Sequence, residues 1–164
     1  MKEFFGQLYI KRILKYILFL YLSLVVQNML FTRIRPMGVS PFVLPAVCVA
    51  AGMFEGATWG SVFSLVLGIF ADMAFVETKI LFTLLFPVIA FFSGFVSQFF
   101  INRRFFAFMG ITLVALFLTA VVQATAVTAR DAFSFSMLPT IALQTIWSLP
   151  PAALAYFPPA RWIE

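Results

Sequence analysis

Residues 55–72 read EGATWGSVFSLVLGIFAD, an apolar run with an acid at each end and no charge between. Its length is close to the ~17 residues that can just cross a bilayer core. Gly56, Gly60, Ser64 and Gly68 recur every four residues, and the same row ends on Asp72. On a helix these positions form a smooth ridge that another backbone can approach closely. The stretch therefore reads as a membrane helix with a small-residue packing face and a carboxylate at its far end.

The rest of the chain agrees. Of 164 residues, 63% are hydrophobic and 10% charged, against about 25% charged in a soluble domain. Mean hydropathy is +1.07. The apolar runs are continuous instead of alternating, which indicates helices and not a barrel. Net charge is +5, with no basic run in a soluble domain that could grip nucleic acid, so the excess reads as topogenic. The chain has no histidine and one cysteine, Cys48. That removes disulfides, the usual zinc sites and any Ser-His or Cys-His pair. Without a phosphate loop, metal cluster or carboxylate pair with a plausible donor, we expect no enzyme and no cofactor. Cys48 reads as an apolar filler, and the 23 phenylalanines as lipid contacts.

The expected fold is an all-α, polytopic integral membrane bundle forming one domain over 1–164. A short interfacial helix at about 2–12 leads into spans at about 13–31, 39–54, 56–73, 80–101, 105–129 and 137–157. No small-residue cleavage site follows Val26, so the first span is read as an uncleaved anchor, not a signal peptide. Pro41 and Pro45 fall near the start of span two, where proline is tolerated. Pro158-Pro159 is read as ending span six. With the amino terminus inside, the inner face collects Lys2, Lys11, Arg12, Lys15, Arg103, Arg104 and Arg161. The outer face collects Arg33, Arg35, Lys79 and Arg130. Both termini are therefore expected in the cytoplasm. Only Glu55 and Gly56 separate spans two and three, and a re-entrant pair there would leave four spans with the same ends.

On this topology Gln27, Asn28, Asp72, Gln123 and Gln144 gather in the outer half, while Gln98 lies toward the inner face. Polar groups at membrane depth must find partners. They could line an outward pocket, dock another membrane segment, or simply fix helix packing. We read the amides as packing bonds and Asp72 as functional, with Arg33 or Lys79 as its counter-charge. Glu55 is read as the start of span three, satisfying free amides and the helix dipole. The ridge of Gly56, Gly60, Ser64 and Gly68 is read as internal packing, with a partner helix as the other possibility.

The order Gln27-Asn28-x-Leu30-Phe31, Gly38-x-x-Pro41, Glu55-Gly56-x-x-x-Gly60 and Gly68-x-x-x-Asp72 resembles the rod-shape-determining MreD family, over nearly the whole chain. Phe42 stands where that family commonly has an acid, and residues 75–80 lack its glycine-leucine turn. The resemblance implies a scaffold or regulator of cell shape and peptidoglycan synthesis in the bacterial cytoplasmic membrane, within the elongasome. It implies association with an MreC-like bitopic protein and, through it, with MreB, RodA and a class B penicillin-binding protein. The alternative is the substrate-binding S component of an energy-coupling-factor vitamin transporter. That class is expected to carry an Ala-x-x-x-Ala dock in span one, and residues 13–31 contain no alanine.

Overall fold

A computed structural model describes residues 2–31, 33, 40–74, 80–99, 105–128 and 138–163. Among these the chain is helical, without strands. The helices are α1 (Lys2–Val26), which runs into a π-helical turn (Gln27–Phe31), α2 (Leu44–Glu55), α3 (Ala57–Ala74), α4 (Leu81–Phe99), α5 (Phe105–Thr128), α6 (Leu138–Leu154) and α7 (Phe157–Ile163). The stretches Ala57–Ala74, Leu81–Gln98 and Phe105–Thr125 are each long and apolar enough to cross a membrane, and Ile13–Met29 and Leu44–Glu55 are shorter apolar helices. With the composition above, this is a helical membrane protein.

The centre of the bundle is α2. Every residue from Leu44 to Phe54 is buried, and α2 touches each of the other described α-helices. Its composition explains the position: Ala46, Cys48, Ala50, Ala51 and Gly52 are small enough to be surrounded by helix backbones. Around it, α3 runs antiparallel to α2 after the turn at Gly56, and α4 runs parallel to α2, with Phe82 beside Phe42 toward one end and Ser97 bonded to Met53 at the other. On the other side α5 and α6 form an antiparallel pair, with Gln123 beside Gln144 at one end and Phe105 beside Tyr156 at the other.

Several expected boundaries are corrected. The interfacial helix and span one are continuous, because residues 2–26 contain no proline to break them. Span two is helical only from Leu44, so α2 has 12 residues, about 18 Å of helix against a ~30 Å bilayer core. Residues 40–43 precede it without helical structure, and Pro45 fits the first turn, where its missing N–H loses nothing. The helix expected as span six ends at Leu154. Pro158-Pro159 does not end it but lies in the first turn of α7, again where proline is accepted.

Glu55 is likewise the last residue of α2, not the opening of α3. Gly56 makes the turn with φ +89°, a conformation that glycine adopts without a Cβ clash. Its N–H donates to the Gly52 carbonyl at 3.0 Å and its carbonyl accepts from Gly60 N–H at 2.9 Å. One glycine thus closes α2 and caps α3. The phenylalanines also divide: Phe92 and Phe106 face outward, whereas Phe82, Phe86 and Phe108 are fully buried. Phe42 stacks on Phe82 with centroids 5.1 Å apart.

Candidate functional site: a glycine contact and a clamped helix start

The ridge of α3 is in direct backbone contact with two helices. A Cβ on Gly60 would stand 2.5 Å from the Gly52 Cα, and one on Gly68 would stand 2.6 Å from the Phe82 carbonyl oxygen. Between them Ser64 meets Cys48 of α2. From the facing side, a Cβ on Gly94 of α4 would lie 2.7 Å from the Ala57 Cα and 2.8 Å from the Gly52 carbonyl oxygen. A Cβ on Gly52 would fall onto the Ala90 carbonyl and the Ser93 hydroxyl. Three helices thus converge on Gly52, Gly60 and Gly94. Without a hydrophobic drive between helices in lipid, such backbone-to-backbone contact is a main source of association. Gly52 and Gly94 belong to no spaced row in the sequence, and only the fold brings them to Gly60.

Asp72 sits at the opposite end of α3, half-buried. Its Oδ1 accepts from Phe82 N–H at 3.1 Å. Its Oδ2 accepts from Thr83 N–H at 2.8 Å and from the Thr83 hydroxyl at 2.7 Å. Phe82 and Thr83 lie in the first turn of α4, whose amides have no partner within their own helix. A carboxylate there also meets the positive end of the helix dipole. The expense of an acid at this depth is therefore offset by work done for α4. Lys79, one of the expected counter-charges, lies outside the described residues.

Gln27 is 2% exposed and reaches the non-helical segment before α2. Its Nε2 donates to the Pro41 carbonyl at 3.0 Å, and its Oε1 accepts from Val43 N–H at 2.9 Å. Phe42 N–H between them donates to Ser148 Oγ of α6 at 2.8 Å, and that hydroxyl donates to the Gln144 carbonyl at 2.6 Å. Irregular backbone at membrane depth is tolerated only where protein satisfies it, and two side chains do so here.

The π-helical turn faces Gln27 inward and leaves Asn28 exposed. Gln144 Nε2 donates to Gln123 Oε1 at 3.3 Å. The expected outer cluster thus shares one end of the bundle, but as separate pairings and not a common pocket. Gln98 and Glu55 lie at the other end, where Ser97 Oγ donates to the Met53 carbonyl at 3.3 Å. Ser148 and Thr83, missed in the sequence, could have been suspected only as hydroxyls within apolar runs.

A groove of about 390 Å³ runs between α1 and α3, from Ile13 to Leu20 on one wall and from Trp59 to Val66 on the other, with Glu55 at one end. Comparison of the chain with protein-family models, curated proteins and solved structures gives no match.

Proposed function

We propose that the chain is a scaffold or regulator of bacterial cell elongation, of the MreD kind, seated in the cytoplasmic membrane. It has no catalytic step of its own and acts by binding an MreC-like single-span protein. MreB, RodA and a class B penicillin-binding protein join through that partner. In this reading the chain crosses six times with both termini in the cytoplasm. The crossing of α2 is completed by residues 40–43, which can add at most about 13 Å to its helix.

The observation that carries the reading is the direct bond between Gln27 and Pro41. These residues belong to the first two motifs of the resemblance, and they are joined in space. The later motif residues Gly60, Gly68 and Asp72 bind α3 to α2 and α4 in the same way. A signature made of architectural residues suits a protein that works as a binding surface.

The test is purification from the native membrane. Recovery of a single-span protein with a periplasmic coiled coil supports the proposal, and recovery of a transport ATPase pair overturns it in favour of the transporter subunit. Asp72→Asn keeps one acceptor for the amides of α4 and is expected to fold. Reduced partner recovery would give the acid a second role at the interface; unchanged recovery would confine it to α4.

A further inference from the structure

The groove between α1 and α3 has a polar end and an apolar remainder. Gln27 binds the start of α2, so α1 runs from the Glu55 end of the bundle toward the Asp72 end. Tyr16 packs edge-on against Phe63, centroids 5.6 Å apart, which places Ile13 a turn nearer Glu55. At that end stand the Glu55 carboxylate and Trp59, which is 60% exposed. Lys15 is exposed on another face of α1, away from the row Ile13, Tyr16, Ile17 and Leu20 that lines the groove, so Glu55 is the charged group of the lining. Beyond Glu55 the walls are aliphatic and aromatic. From Glu55 to Val66 the groove runs ~15 Å, the hydrocarbon depth of one leaflet. An indole with one end wet is the usual marker of the membrane–water boundary.

We propose that this groove holds one acyl chain of a phosphatidylethanolamine molecule, with the headgroup at the Glu55 end. The primary ammonium donates to the Glu55 carboxylate, with the phosphate at the level of the exposed Trp59. The contact does not require Glu55 to lack protein partners. A carboxylate offers about four acceptor positions. A carboxylate at the mouth matches the ammonium of a zwitterionic headgroup, whereas phosphatidylglycerol brings a net negative charge toward Glu55 and only neutral hydroxyl donors. The proposal rests on the membrane assignment alone and is independent of the scaffold reading.

The test uses the full chain in mild detergent, with native mass spectrometry in the presence of dioleoyl phosphatidylethanolamine, phosphatidylcholine or phosphatidylglycerol. Phosphatidylethanolamine is expected to be retained about three- to fivefold over phosphatidylglycerol, the size of effect one partly exposed ion pair gives. Phosphatidylcholine, which lacks ammonium donors, should fall between. Glu55→Gln should bring the preference close to unity, and Val62→Trp should lower retention of all three lipids. Equal retention by the wild type, or a preference that survives Glu55→Gln, overturns the proposal. A photoreactive acyl-chain analogue of phosphatidylethanolamine checks the place without any variant. Labelling of α1 and α3 between Ile13 and Val66 supports it, while labelling elsewhere, or lipid-free dimers that shield these residues, overturns it.

Discussion

The unit of α2, α3 and α4 and the helix α1 are held in opposite ways. In the first, glycines bring backbones into contact at Gly52, Gly60, Gly68 and Gly94, and the apolar side chains pack around that contact. In the second, the residues facing the bundle are bulky. Tyr16 and Phe19 meet Phe63 at centroid separations of 5.6 and 6.4 Å, and the backbone of α1 stays away. The groove is the space this leaves. The face that α1 turns to the bundle, with Tyr16, Phe19 and Leu20, is also apolar, so apolarity alone does not decide which packs closely. Residue size on the facing side decides it, as expected where lipid competes for every apolar surface.

The contrast can be broken from the glycine side. Gly52→Leu forces a side chain into the Ala90 carbonyl and should destabilise the protein by ~3 kcal/mol or more, visible as loss of the folded monomer in detergent melting. Gly110→Ala is the control, because a Cβ there meets nothing within 4 Å. It should melt at or above the wild-type temperature, since alanine is the better helix former by about 1 kcal/mol. If the two variants melted alike, backbone contact would not be what holds the central unit.

On the α1 side, Gln27→Leu leaves the Pro41 carbonyl and Val43 N–H without their partner, and each buried unsatisfied group costs about 1–3 kcal/mol. The variant should speed hydrogen exchange at Val43 while leaving the middle of α4 protected. The smallest effect is expected at Gln144→Leu, about 0.6 kcal/mol for one interhelical bond in a membrane, read as a small drop in melting temperature. A Gln144 effect as large as that of Gln27 would mean that the pair with Gln123 has a further role.

Helices α3, α4 and α5 were legible from unbroken apolar runs, and the row of Gly60, Ser64 and Gly68 from its spacing alone. The partners of that row were not. Gly52 sits inside α2 and Gly94 inside α4, and no periodicity within one segment points to a contact between segments. Glu55 was misread because an acid before a glycine looks like a helix start, while the positive φ of Gly56 sets the boundary one residue later. Asp72 stood out as a buried acid, but its work for Phe82 and Thr83 depends on how α3 and α4 meet. The proline pair 158–159 carried two readings, stop and start, that local sequence does not separate.

The bond between Phe42 N–H and Ser148 has a consequence for how the protein is made. The two residues lie 106 positions apart. At about 5–20 residues per second, roughly 5–20 seconds pass before the ribosome supplies the hydroxyl that this amide needs. Until then α2 is a half-length helix whose leading backbone is unfinished, a poor candidate for release into lipid on its own. The hydrogen bonding of its leading backbone is therefore completed only when α6 arrives, and the innermost helix of the bundle is among the last to be finished.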